Sequence, residues 1–129
     1  MIGSTAQVNK DVRVAVSVLD GRDIFSLPLQ VQYDSAKLTF LGVDSGYFLG
    51  KDGQAVALVN RDDGEGEVTI TASRPPGTAG VTGSGDICFV RFRAKAAGDA
   101  VVQSDSSIAR DSHQKTVRLE GARATVHVE

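Results

Sequence analysis

Apolar and polar residues alternate with a period of two along most of this chain, and clusters of turn residues interrupt the alternation. Successive side chains of a β-strand point to opposite faces, so each such run has a dry side and a wet side. Val12, Val14, Val16 and Val18 alternate with Arg13, Ala15 and Ser17, and β-branched residues suit a half-buried pleat. Leu27, Leu29, Val31 and Tyr33 fall on one side of the next run, opposite Ser26, Pro28, Gln30 and Gln32. The clearest run is VTGSGDICFVRFRA at 81–94. A Gly-Ser-Gly turn feeds a long strand with Cys88, Val90, Phe92 and Ala94 inward and Arg91 and Arg93 outward.

The remaining runs extend this pattern. Leu38 and Phe40 begin another strand that ends between Gly42 and Gly46. Ala55 to Asn60 is a short apolar run, and Asp62-Asp63-Gly64-Glu65-Gly66 reads as a turn. Glu67 to Arg74 returns with Val68, Ile70 and Ala72 inward and Thr69, Thr71 and Ser73 outward, so the two runs form a hairpin. Ala100 to Ala109 and Thr116 to Val128 supply the last two strands, with a slip at Gly121 that reads as a bulge.

Turns are expected at Asp20-Gly21, Asp34-Ser35, Pro75-Pro76-Gly77 and Ala97-Gly98-Asp99. Pro28 cannot donate to a ladder, which implies an edge, a bulge or a strand start there. Helical periodicity is nearly absent. Ser45 to Leu49 could turn once, but Gly46 and Gly50 would break anything longer. About nine short strands at roughly 10- to 14-residue spacing predict an all-β, antiparallel sandwich.

Length and composition narrow the function classes. A chain of 129 residues reads as one domain over 1–129, and it can bury about two thirds of its unfolded surface without staples. The opening MIGSTAQ, residues 1–7, reads as the remnant left after an excised leader or upstream domain. Cys88 is the single cysteine, so it can form no internal disulfide and no cysteine-based zinc site. It reads as a small core hydrophobe.

The formal net charge of −2 comes from interspersed acids and bases, whereas a nucleic-acid footprint needs a clustered basic face. Arg91, Arg93 and Lys95 read as the wet side of one strand. No apolar stretch approaches the about 20 residues that span a bilayer, so no membrane insertion by this domain is expected.

Candidate chemistry is thin. His113 sits in the polar loop DSHQK, His127 alternates outward between Val126 and Val128, and no segment resembles a nucleophile elbow. Asp62, Asp63, Glu65 and Glu67 crowd one turn, whereas glycoside cleavage needs opposed carboxyl groups across a cleft. The same acids depart from an EF-hand loop, because Gly64 arrives too early and no placed bidentate glutamate follows. The glycine-rich stretch 77–85 contains no lysine and is followed by no helix, unlike a phosphate loop. No catalytic residue, metal site or cofactor is expected.

The order and spacing of several short motifs resemble the cohesin family. Those domains carry a Tyr-Asp step, then a leucine, a phenylalanine and Gly-Val, then a glycine before an aromatic. Here these are Tyr33-Asp34, Leu38, Phe40, Gly42-Val43 and Gly46 before Tyr47-Phe48. A glycine-rich turn leading into Leu-x-x-(Leu/Val)-x-Phe-x-Ala is matched from Gly83 to Ala94, with Ile87 replacing the leucine. The resemblance covers about residues 12–128 and implies a nine-stranded β-sandwich with jelly-roll topology. It is at least as close to cohesin-like domains of non-cellulosomal surface and secretin-associated proteins as to cellulosomal ones.

The resemblance also implies a function. Cohesins bind dockerin modules on the face of strands three, five, six and eight, and the dockerin supplies the calcium loops. Calcium would therefore enter only through a dockerin-like partner. Carried onto this chain, the partner-binding residues are Pro28, Gln30, Gln32, Thr69, Thr71, Ser73 and Arg74. They are small and polar, with few of the aromatic anchors common in tight interfaces, and read equally well as an ordinary solvated face.

The expectation is a non-catalytic protein-interaction module within a larger exported protein, in the extracellular space, at the cell surface or at the outer membrane and periplasm. The alternative is a carbohydrate-binding module on the same sandwich, with a polysaccharide as partner. Sugar platforms use flat aromatic rings, and the chain has no tryptophan and only Tyr33 and Tyr47 as tyrosines.

Overall fold

The computed structural model describes residues 4–50, 56–75, 79–104, 107–119 and 121–129. Among them are eleven strands and one 3-10 turn. The strands are β1 (Ser4–Ala6), β2 (Asp11–Ile24), β3 (Ser26–Tyr33), β4 (Leu38–Ser45), β5 (Ala57–Gly64) and β6 (Glu67–Ser73). They continue as β7 (Val81–Ala94), β8 (Gly98–Ser104), β9 (Ser107–Arg110), β10 (Thr116–Leu119) and β11 (Ala122–Val128). The 3-10 turn, Phe48–Gly50, overlaps the end of Ser45 to Leu49, where one helical turn is expected, and includes Gly50. Ala55, Pro76-Gly77 and the first residues of the opening segment lie outside the described residues.

Two sheets stack face to face. The larger runs β1-β11-β8-β3-β6-β5, with β9 beside β3 and β10 beside β9, and the smaller runs β2-β7-β4. All pairings are antiparallel except β1 with β11. The inward alternation expected from the sequence forms the core: Val14, Leu27, Val31, Leu38, Val68, Ile70, Val90, Phe92, Val102 and Val126 are all buried. Phe92 lies at its centre, with the Tyr33 ring 5.0 Å away and the Phe40 ring 6.3 Å away. Cys88 is buried among these residues, and burial pushes its thiol up to about 12.

Strand number differs from the nine expected, for a local reason. The runs 100–109 and 116–128 each divide, so β8 and β11 pair with one another while β9 and β10 form a separate hairpin. Asp111 turns that hairpin by accepting the N–H groups of His113 and Lys115, both at 2.9 Å. The slip at Gly121 marks the boundary between two strands rather than a bulge within one.

Asp20-Gly21 is likewise not a chain reversal. β2 continues through it, with Asp20 and Asp23 at φ 53° and 48° and register shifts against β7. These are bulges, and each leaves a backbone donor out of step with the ladder. Hydroxyls on β7 satisfy them: Asp20 N–H donates to Ser84 Oγ at 2.9 Å, and Asp23 N–H to Thr82 Oγ1 at 3.0 Å. A further shift at Val16/Ser17 lets Ile87 and Cys88 both face inward.

The acidic turn at 62–66 is shorter than expected. β5 extends to Gly64, and only Glu65-Gly66 separates Gly64 from its partner Glu67. Both residues have positive φ, 55° and 82°, which matches the twist a two-residue hairpin needs. Gly66 is required for a second reason. A Cβ there would lie 2.4 Å from the Tyr33 carbonyl oxygen, while Tyr33 N–H donates to Gly66 O at 2.8 Å. Pro28 sits within β3, level with a gap between the β9 bridge at Ser26 and the β8 bridge at Val31, so its missing donor costs no described ladder bond.

Asp23 ties its bulge in β2 to two loops at one end of the sandwich. It accepts from Gly80 N–H at 2.8 Å and from the Ser112 N–H and hydroxyl at 3.2 and 2.6 Å. The Ser112 hydroxyl is the main reason its carboxyl titrates below the ordinary 3.8, with the backbone bonds adding to it. Because the folded value is depressed, this contribution is complete above the ordinary value and fades as pH falls through the folded one. Asp23→Asn is therefore expected to cost about 1–3 kcal/mol at neutral pH. Urea titrations of both proteins should converge in acid; a gap that persists unchanged at low pH contradicts this role.

Candidate functional site

The outer face of β8-β3-β6-β5 is built row by row from the strand registers. Ala57, Ser73 and Ser26 share one row, Val59, Thr71 and Pro28 the next, and Arg61, Thr69 and Gln30 the third. A fourth row carries Glu67, Gln32, Gln103 and Arg123 across β6, β3, β8 and β11. The period of two forces these side chains outward, because their neighbours Leu27, Leu29, Val31, Val68, Ile70 and Ala72 fill the core.

Pro28, Gln30, Gln32, Thr69, Thr71 and Ser73 thus lie on one continuous face, and Pro28 stands directly opposite Thr71. Pro28, Gln30 and Thr71 are exposed, and the others are half-buried. Arg74 is not on this face. Alternation turns it inward at the end of β6, where it is only 4% exposed and its guanidinium donates to the carbonyls of Leu49 and Ala79. Its role is to bind the 3-10 turn to the loop after β6.

Most polar groups on the face are already paired with one another. Gln30 Nε2 donates to Glu67 Oε2 at 3.3 Å, and Gln103 Nε2 to Gln32 Oε1 at 3.0 Å. Asp63 accepts from Thr69 Oγ1 and from Arg61 Nε, both at 2.5 Å. The Thr69 bond, and then the Arg61 bond, hold its carboxyl below the ordinary range. Asp62 accepts the Gly64 N–H at 3.0 Å, so the acids of this turn address separate partners. Among the described residues, no group of three or more histidines, cysteines or carboxylates is placed to hold a metal ion.

Sequence reasoning placed the edge strand β5 in a hairpin with β6 but did not carry its outward residues into the site. Val59 and Arg61 of β5 face outward, and Val59 is 64% exposed. Their alternation with Leu58 and Asn60 was the available signal, masked by reading Asp62 and Asp63 as turn residues. His127 and Asp99 pair at 2.6 Å on the rim between β11 and β8, and that bond raises the imidazole above its ordinary value. Of the two tyrosines, Tyr33 packs on Phe92 and Tyr47 is exposed beside the 3-10 turn, so no aromatic row crosses this face.

The cohesin domain model matches residues 2–127. The chain belongs to the cohesin family. Cohesins are non-catalytic protein-interaction modules that bind dockerins, and this cohesin is not an enzyme. It shares its fold with a non-cellulosomal cohesin from the archaeon Archaeoglobus fulgidus (TM-score 0.80, 16% identity, 99% of this chain and 88% of that one).

It is also similar to the sixth cohesin of Acetivibrio cellulolyticus scaffoldin B, solved with a mutant Cel5 dockerin (TM-score 0.79, 18% identity, 97% and 93% covered). A cohesin module from a Clostridium perfringens family 33 glycoside hydrolase gives a TM-score of 0.79 at 13% identity, with 97% and 90% covered. No curated protein matches the sequence. The sandwich with jelly-roll topology expected from the motifs is therefore the family fold.

Proposed function

We propose that this cohesin docks a dockerin-like module on the outer face of β8-β3-β6-β5, as one domain of a larger exported surface or secretion protein. The row Val59–Thr71–Pro28 carries this reading. It is an exposed, largely apolar strip bordered by polar side chains that already satisfy each other, so a partner that covers it has the Thr71 hydroxyl to satisfy but few other donors or acceptors. The opposite sheet offers a different surface. There Arg13 lies 4.7 Å over the Phe89 ring, and Arg91 and Arg93 are paired with Asp44 and Asp11, both at 3.0 Å. Its outer side carries these two ion pairs and one cation–π contact.

Calcium enters this reading through the partner alone. Calorimetry with calcium-loaded dockerin modules from the source genome should show saturable binding that a chelator abolishes. Chelation should leave the cohesin's own unfolding transition unchanged. Binding to an oligosaccharide array with no binding to any dockerin module would overturn the proposal.

A further inference from the structure

The outer side of the β2-β7-β4 sheet carries an arrangement of charge that sheets normally avoid. Like charges at directly opposed positions of two strands are destabilising. Arg13 of β2 and Arg91 of β7 are direct partners, and the next outward pair, Asp11 and Arg93, adds a third arginine. Parity fixes this side as the outer one, because Val12, Val14, Val90 and Phe92 fill the core. Lys95, exposed just past the end of β7, continues the line of cations.

Local counter-charges cover only part of this array. Asp11 accepts from Arg93 Nε at 3.0 Å. Asp44 stands 3.0 Å from Arg91 Nε, yet that buried N–H has no hydrogen-bond acceptor among the described residues, so the charge is offset and the donor is not. Both acids meet the Nε edge, and the Nη edges of Arg91 and Arg93 carry no described hydrogen bond. Asp86 is turned to the Ser17 hydroxyl at 2.6 Å. Among the described residues Arg13 forms no ion pair. Its guanidinium lies 4.7 Å over the Phe89 ring instead.

The neighbours of these arginines hold them down on the sheet. Gly42 of β4 opposes Arg91, and a Cβ there would lie 2.5 Å from Nη2. The glycine thus makes room for the guanidinium to lie along the surface, as Phe89 does for Arg13. Side chains fixed in this way lose less freedom when a ligand engages them.

We infer that this face binds a linear polysaccharide bearing carboxylates, with Arg13, Arg91 and Arg93 as its cation row. Guanidinium groups meet carboxylates through two parallel N–H bonds, and a bound carboxylate would relieve the opposition of Arg13 and Arg91. Arg91, Arg93 and Lys95 follow one another along β7 about 6.6–6.8 Å apart, as alternate strand residues do. A line of cations suits a chain with repeated charges better than it suits one small anion. Phe89, at the centre of the face, is already covered by Arg13 and is not free to anchor a protein partner. The site lies on the sheet opposite the docking face, so it stands or falls apart from the docking reading.

Calorimetry at low salt with polygalacturonate, its fully methyl-esterified form and poly-glutamate tests the assignment. Polygalacturonate should bind saturably, shift the amides of Arg13, Phe89 and Arg91 in the 15N-labelled domain, and weaken steeply as salt rises. The methyl ester keeps the chain and removes the charge, and it should not bind. Arg13→Glu should weaken polygalacturonate binding about tenfold or more. Arg110→Glu makes the same charge change at an exposed position of β9 and should leave that binding intact. Both variants should keep dockerin binding and melt within a few degrees of the parent, which shows that the fold survives.

No binding of polygalacturonate, equal binding of its methyl ester, or an equal loss in the two variants would overturn the inference. Poly-glutamate binding as tightly as polygalacturonate would overturn it too, because the face would then select acidic protein.

Discussion

Phe92→Ala is expected to cost about 3–5 kcal/mol, a large share of the roughly 5–15 kcal/mol that holds a domain of this size together. Phe92 is fully buried on β7, the middle strand of the smaller sheet, and its ring meets those of Tyr33 from the larger sheet and Phe40 from β4. Removing it leaves a cavity at the junction of three strands whose backbones are fixed by ladder bonds and cannot close inward. The tilted and edge-on ring contacts add to the loss beyond buried area. Urea unfolding followed by tyrosine fluorescence measures it. A loss below about 1 kcal/mol would mean that the two sheets do not meet there.

The second large effect concerns binding. Thr71→Arg should weaken partner binding about 100-fold, equivalent to about 2.7 kcal/mol, while shifting stability by no more than about 0.5 kcal/mol. Thr71 is exposed at the centre of the apolar strip, between Val59 and Pro28, and is an acceptor or donor in none of the described side-chain bonds. A long cation at that point either blocks the partner's apolar stripe or is buried without a counter-charge, which is costly. Thr39→Arg is the matched control. Thr39 is exposed on β4 of the other sheet, and the same change there should leave affinity intact. Calorimetry on the three proteins separates the two faces. Equal affinities across all three would mean that the strip is not covered.

The sequence pattern carried the architecture because alternation is a local property that burial then enforces. Each valine of β2 and each inward residue of β3, β6 and β7 lies where its parity placed it, except Ile87, which a register shift turns inward beside Cys88. What local reading could not resolve were positions where a non-local partner decides. Asp20-Gly21 has turn chemistry, yet Ser84 and Thr82 across the sheet absorb its misfit and β2 continues through it. The run 100–128 looks like two strands, but pairing partners divide it into four.

The candidate site was legible in part. Six of its expected residues, from Pro28 to Ser73, share the outer face, because the β3–β6 register aligns two alternating strands. Arg74 departs because β6 ends at Ser73 and the next position points inward, to carbonyl groups that no sequence pattern reveals. The hairpin of β5 with β6 was legible, but the end of β5 was not: its acids look like a turn in isolation, and they become strand residues through pairing with β6, where Asp63 also meets Thr69 and Arg61.

The most direct test of the central claim is to map the bound surface by amide hydrogen exchange and chemical-shift perturbation on the labelled domain, saturated with a dockerin module. Protection and shifts should cluster on β3, β5, β6 and β8, centred on Val59 and Thr71, with the β2-β7-β4 sheet unchanged. A footprint centred on Arg13, Phe89 and Arg91 of that smaller sheet would contradict the account.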